Sequence, residues 1–260
     1  MTGQLIPGLV SVTFRHLEVA NVLDLATRAG LRAIEWGGDV HVPAGDARAA
    51  HQTAQMSADV GVEIAAYGSY YHAGYDTPAN FEPVLRTAID LGAPRIRIWA
   101  GRRGSADSDA SARTRVATDL YRVAELAAEH GIEIGVEHHP KTLTDTLESA
   151  LELYAATGHP GVRPYWQPRT GQGSTSSLME VATLLPSLVT VHVFTWTRGG
   201  ERRALADGAA LWKPVIAALA REHDQGPAQD KRYALLEFVQ NDDPAAFLTD
   251  AATLCRWLAR

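Results

Sequence analysis

Three stretches of the sequence share one plan: ATRAGLRAIEW (26–36), DLGAPRIRIW (90–99) and AAEHGIEIGVE (127–137). In each, a segment with helical periodicity stops at a glycine and gives way to a short run rich in isoleucine, valine or tryptophan. Gly30, Gly92 and Gly131 thus stand where helices end on a left-handed residue, and the runs after them read as strands. Carried outward, the same reading predicts strands over 8–13, 33–36, 63–67, 95–99, 133–137, 162–166, 188–193 and 233–238. Helices are predicted over 20–29, 47–60, 81–91, 112–130, 147–157, 178–185, 209–220 and 244–258. Strands alternating with helices imply a parallel sheet. Eight such units in 260 residues, roughly 32 residues each, imply one closed (β/α)8 barrel rather than an open doubly wound sheet. Asp243-Pro244 reads as an N-cap followed by the first helical residue, and Asp145 with Glu148 reads as a capping box. No interior linker interrupts the pattern, so a single domain over 1–260 is expected, with the polar stretch 221–232 as the loop entering the last strand.

Composition narrows the function. The chain is 46% hydrophobic and 21% charged, which excludes disordered, collagenous and coiled-coil classes. Its formal charge of −6 disfavours partners that need a basic surface, nucleic acid and anionic membranes alike. Cys255 is the one cysteine, so no intramolecular disulfide can form, which fits the cytoplasm. Residues 1–5 show no basic stretch leading into an apolar run, and no apolar run reaches membrane-spanning length. A homo-oligomer stays open.

In such a barrel, chemistry gathers at the C-terminal ends of the strands. Six of the ten histidines (His16, His41, His72, His138, His139 and His192) fall at or just after predicted strand ends, more than scatter would place there. Trp36, Trp99, Trp166 and Trp196 fall there too, which suggests a pocket with aromatic walls. Glu35, Glu137 and Glu237 sit among apolar strand residues, a costly position unless each is paired or binds metal. Strand alternation sets Glu137, His192 and Glu237 on faces that would converge at the barrel mouth. Two carboxylates and an imidazole suit one divalent cation, Mn2+ before Mg2+, Co2+ or Zn2+. The alternative is a metal-free arrangement in which Glu137 and Glu237 pair with Arg97 and other bases. Glu63, Arg95, Glu133 and Arg163 open strands three to six with alternating charge, and read as a structural ion-pair belt at the opposite end.

Beyond these patterns, SVTFRH (11–16), AIEWGGDVHVP (33–43), RIWAGRRGSA (97–106), GVEHHPKTLTDT (135–146), VHVFTW (191–196) and ALLEF (234–238) follow one another in an order that resembles the xylose-isomerase-like TIM-barrel family of sugar phosphate isomerases and epimerases. The run from RIWAGRRGSA to EHHPKTLTDT is similar to the 3-dehydroshikimate dehydratase branch. The resemblance implies a metal held by Glu137, His192, Glu237 and a sixth-strand residue. That last ligand is usually the Asp of an Asp-x-x-His motif. Here Gln167 stands in the Asp position and Thr170 in the His position. A Gln offers a carbonyl oxygen but no charge.

The chemistry implied is proton abstraction next to a carbonyl, which needs a base, a proton donor and a cation for the enolate oxygen. In an isomerase or epimerase, Glu137 and Glu237 would shuttle the proton. In the dehydratase branch His139 would be the base. Arg97 would hold a substrate anion through its donor fork, with Tyr70, Tyr71 and Lys141 as further polar contacts and Trp36, Trp99, Trp166 and Trp196 as the walls. The leading expectation is a metal-dependent isomerase or epimerase acting on a small polyol or sugar. A lyase that eliminates water from a cyclic keto-acid comes second, and a non-catalytic polyol-binding barrel third. An endonuclease of the same fold would need more ligands, including an Asp where Thr190 stands.

Overall fold

A computed structural model describes residues 5–223 and 231–259. Eight parallel strands close into a barrel: β1 (Leu5–Val10), β2 (Ala33–Gly37), β3 (Glu63–His72), β4 (Arg95–Trp99), β5 (Glu133–Glu137), β6 (Val162–Trp166), β7 (Thr190–Val193) and β10 (Arg232–Leu236), the last pairing back onto β1. The short antiparallel hairpin β8 (Thr195–Trp196) and β9 (Arg202–Arg203) follows β7. Helices α1 (Val19–Arg28), α2 (Ala47–Asp59), α3 (Pro78–Leu91), α4 (Ala110–Ala128), α5 (Leu147–Thr157), α6 (Ser174–Leu184), α7 (Ala209–His223) and α8 (Pro244–Leu258) alternate with the barrel strands. The fold is the expected (β/α)8 TIM barrel. No helix among the described residues is long and apolar enough to cross a membrane.

The local signals act as read at most joints. Gly30, Gly92 and Gly131 take φ of 69°, 72° and 70°, and Asp243 caps α8 by accepting from the Ala245 N–H with Pro244 at the first helical position. The capping box expected at α5 is replaced by a simple N-cap one residue later. Thr146, not Asp145, caps α5 by accepting from Ser149 N–H, while Asp145 turns away to accept from Ser105 N–H at 3.0 Å. The first strand also starts earlier than predicted, because residues 5–9 align with 232–236 and Ser11–Phe14 then coil into a 3-10 turn. The loop expected over 221–232 lies largely outside the described residues.

Strand alternation divides the side chains between two environments. The outward set, including Ile34, Trp36, Ile96, Ile98, Ile134, Val136, Val191, Val193 and Leu236, packs with helix residues such as Phe81, Leu120, Leu184 and Phe247 in the main core. The inward set is layered. Arg95, Glu133 and Arg163 form the lower layer, with Arg95 Nε–Glu133 Oε2 at 2.6 Å and Arg163 Nη1–Glu133 Oε1 at 3.0 Å. Glu63 joins Lys231 instead, at 2.6 Å. Tyr165 and Tyr233 fill the middle, and Gly135 leaves the room Tyr165 needs, since a Cβ there would lie 2.4 Å from its ring. The upper layer carries the candidate site.

Candidate active site

Glu35 on β2, Arg97 on β4, Glu137 at the end of β5, His192 on β7 and Glu237 just past β10 meet at the C-terminal end of the barrel, all buried. Arg97 Nε lies 3.1 Å from Glu35 Oε1 and Arg97 Nη1 3.0 Å from Glu137 Oε2. His192 Nδ1 faces Glu237 Oε2 at 3.5 Å and Glu137 Oε1 at 3.8 Å, and its Nε2 faces Glu35 Oε2 at 3.6 Å. Glu137 is the most heavily engaged carboxylate. It accepts from Trp99 Nε1 at 2.6 Å and from Gln167 Nε2 at 2.9 Å, besides its contact with Arg97. Glu237 stands at the turn where Phe238 takes a left-handed φ of 52°, with its N–H donating to Thr13 Oγ1. The guanidiniums of Arg15 and Arg202 lie over the Phe238 ring, 6.0 and 4.9 Å from its centroid.

Above this layer opens a cavity of about 250 Å3. Glu137, Gln167 and Glu237 reach it from below, and Tyr70, Trp99, His139, Phe194, Trp196 and Phe238 supply much of its wall. Arg15 and Arg169 line it as well. Arg15 donates to Tyr70 Oη and pairs with Asp39, while Arg169 pairs with Glu180 on α6. His139 Nδ1 lies 2.8 Å from the carbonyl oxygen of Pro140. A carbonyl only accepts, so Nδ1 is the donor in this contact, and Nε2 is the nitrogen that bears the lone pair in the neutral form of the ring.

The charges do not cancel among themselves: three buried carboxylates share one arginine. His192 answers part of the surplus. Burial alone would push its pKa down, but Glu237, Glu35 and Glu137 overcome that and lift it to about 9. Burial and the charge of Glu137 push the Glu237 carboxyl up, against the pull of His192 and Arg97. Glu35 goes the other way, because His192 and Arg97 outweigh its own burial. The donor set fits a divalent cation. One atom each of Glu137, His192 and Glu237 lies within 4.8 Å of the others, and donors about 2.1 Å from one ion stand about 3–4 Å apart.

Several sequence expectations are corrected. Trp36 and Trp166 do not line the cavity. They are the odd neighbours of inward Glu35 and Tyr165, so alternation turns them to the helix side, where Trp166 donates to Glu180 at 3.0 Å and stacks edge-on against Trp212. Lys141 is exposed at φ 62° and off the wall. Tyr71 bonds Asp119 and Arg122 instead. Arg97 lines the cavity as expected and also pairs with two glutamates, Glu35 and Glu137. Gln167 presents its amide nitrogen, not its oxygen, to Glu137, and the same nitrogen donates to the His138 carbonyl at 3.0 Å. Two acceptors at one end fix the amide orientation. Glu35 is the residue that sequence reasoning left outside the convergent set. The parity that chose Glu137 and Glu237 would have found it, since 33 and 35 share the inner face. Arg15, Arg169, Phe194 and Phe238 come from segments beyond the barrel strands, where no periodicity sets direction.

The sequence matches the family described as Xylose isomerase-like TIM barrel over residues 23–228. The chain belongs to that family. Within it, a 3-dehydroshikimate dehydratase of Bacillus anthracis is 28% identical over 167 residues, 60% of this chain, and the match spans 59% of that relative's length. A solved structure described as a probable 3-DHS dehydratase, AsbF, from Bacillus anthracis superposes with a TM-score of 0.80 at 20% identity, covering 97% of this chain and 99% of the other. A D-allulose 3-epimerase from Methylomonas superposes at 0.69 with 13% identity over 98% of each chain. A dehydratase and an epimerase thus share this barrel fold.

Proposed function

We propose that this chain is a divalent-metal-dependent lyase of the dehydratase type, acting on a small cyclic keto-acid with 3-dehydroshikimate as the first candidate. The observation that carries this reading is the unequal state of the two groups that could take a proton. Glu137 accepts from Trp99 and Gln167, pairs with Arg97 and would also hold the cation, and each of these lowers the basicity it could bring to proton abstraction. His139 lines the cavity with Nδ1 tied to Pro140 and Nε2 holding a lone pair. An epimerase working through paired carboxylates loses one of its two bases here, whereas elimination needs one. The dehydratase relative supports the same choice.

Glu137, His192 and Glu237 would hold the cation. When bound, a divalent ion supplies Lewis-acid stabilisation of the substrate oxygen on which negative charge develops. His139 Nε2 takes the proton next to the carbonyl, and the electron pair expels the β-hydroxyl. The resulting imidazolium returns that proton to the departing oxygen, so water leaves and the base is restored. Trp99, Arg97 and Gln167 hold Glu137 in place, and the rings of Trp99, Phe194, Trp196 and Phe238 exclude water. A carboxylate on the substrate meets Arg15 or Arg169, each of which lines the cavity with one acidic partner, whereas the more deeply buried Arg97 has two.

The test is turnover of 3-dehydroshikimate by Mn2+-loaded protein, followed by the absorbance of the aromatic product, with proton NMR of ketosugars as the competing assay. His139→Ala should lower elimination by about 10^2–10^4-fold and leave Mn2+ content unchanged. Undiminished elimination in that variant, or epimerised sugar in place of aromatic product, rejects the reading.

A further inference from the structure

Glu35 has no part in the chemistry described so far, yet it is fully buried among the groups that perform it. Its Oε1 takes Arg97 Nε at 3.1 Å. Its Oε2 has no hydrogen-bond partner, nor has His192 Nε2, and these two unpartnered atoms face each other at 3.6 Å. That distance is too long for a hydrogen bond but only a small shift away from one. The other edge of the imidazole, Nδ1, points at Glu237 and Glu137. Each nitrogen of His192 therefore has its own counterpart. The barrel also makes room for this arrangement. A Cβ on Gly68 of β3 would lie 2.7 Å from Glu35 Oε1 and 3.0 Å from Arg97 Nη2, so the Glu35–Arg97 pair occupies space that only glycine leaves open.

We infer that Glu35 is a positioning residue for the metal centre: it holds His192 as the tautomer protonated on Nε2, with Nδ1 as the ligand atom, and through Arg97 it also sets Glu137. The physical reason is general. A ligating histidine needs its second nitrogen fixed by an acceptor, and a carboxylate does this while raising the basicity of the ligating nitrogen. Here the same carboxylate reaches two of the three ligands, one directly and one through a guanidinium fork whose Nε and Nη1 serve different glutamates. Glu35 thus gives the buried Arg97 charge a second function. This inference rests on the metal-binding part of the proposed function, not on the identity of the substrate.

Two measurements test it on the full-length protein. The first is Mn2+ affinity by calorimetry in wild type, Glu35→Gln and Gly68→Ala. Glu35→Gln keeps the side-chain shape but offers Arg97 and His192 only one acceptor oxygen between them. Gly68→Ala leaves every charged group in place and displaces the pair. Each should weaken Mn2+ binding by about 10–100-fold. The second is 15N NMR of the Zn2+-loaded protein, with the His192 signals assigned by their loss in His192→Gln. Wild type should show a metal-bound Nδ1 and a protonated Nε2, and Glu35→Gln should shift or broaden that Nε2 signal. Unchanged Mn2+ affinity in both variants overturns the inference. So does a lowered melting temperature with His192 signals unmoved, which would make Glu35 only the counter-charge of Arg97. Wild type that binds neither ion overturns this inference together with the metal reading. Wild type that binds Mn2+ tightly but eliminates no water rejects the lyase reading alone.

Discussion

At the lower end of the barrel interior, Arg95 and Arg163 close on Glu133 at 2.6 and 3.0 Å; at the upper end, Arg97 closes on Glu35 and Glu137 at 3.1 and 3.0 Å, with Glu237 left over. The residue types and distances are alike, but the ratios are inverted. Below, two guanidiniums serve one carboxylate, and Glu133 keeps part of its side chain in solvent. Above, one guanidinium stands against three carboxylates that water scarcely reaches, and it touches only two of them. A buried anionic surplus is expensive unless a cation or protons offset it, and the fold supplies too few cations. The lower layer has no anionic surplus, whereas the upper layer has one that the raised pKa of His192 answers in part.

The sharpest way to break this contrast is to change one member of each layer. His192→Ala should weaken Mn2+ binding by more than the roughly 10–100-fold seen for outer-shell groups, and lower turnover by on the order of 10^3-fold as metal stabilisation is lost. Glu133→Gln should leave Mn2+ affinity within about twofold and lower stability by about 1–3 kcal/mol, between the values for exposed and buried pairs. If Glu133→Gln abolished metal binding, the two layers would not be independent.

A change of pH should separate them next. His192 is lifted from an ordinary value of 6.5 to about 9, chiefly by the neighbouring carboxylates against the effect of burial. The folded state therefore holds this proton more tightly than the unfolded chain. Its contribution is whole below about pH 6.5 and is lost as pH rises through about 9. The upward shift of Glu237 acts in the same direction. The melting temperature of metal-free protein should fall over that window. With saturating Mn2+ the fall should shrink or reverse, because ligands must shed protons to bind. A metal-free protein equally stable across the window would count against the charge surplus.

Gln167→Asp probes the edge of the upper layer with a smaller effect. It removes a donor from Glu137 and adds a like charge beside it. Metal-free stability should drop and Mn2+ affinity should rise several-fold, up to about tenfold, as a third carboxylate becomes available. No change in either would mean that Gln167 does not act on Glu137 at all. The smallest expected effect is that of Trp36→Phe. The ring lies on the helix side, so KM should stay within about twofold while the melting temperature falls slightly.

The barrel itself was legible because its signals repeat: β4, β5, β6, α5 and α8 begin and end where periodicity and caps place them. Direction along a strand was legible too, and it brought Glu137, His192 and Glu237 to one place. Proximity to a strand end was a poorer guide, because adjacent residues there face opposite ways, and Trp36 and Trp166 followed their parity into the core. Competition for partners was not legible. The pairing of Glu137 with Arg97 stood among the alternatives, but nothing in the order of residues says that Glu35 shares that arginine, or that Gln167 offers its nitrogen. Those outcomes depend on which side chains arrive from four different strands.

The left-handed turn at Phe238 has a consequence for how the chain folds. Its N–H is held by Thr13, a residue 225 positions earlier, and a phenylalanine at positive φ costs about 1–3 kcal/mol unless its surroundings over-determine it. Those surroundings exist only after β1 has closed on β10, the contact of longest sequence separation in the barrel and so among the slowest to form. Glu237, the residue before the turn, takes its place at that same moment. Closing the ring thus also brings Glu237 up to Glu137 and His192, and a cation held by those three, as proposed, would act as a latch on the finished ring rather than as a template for early intermediates.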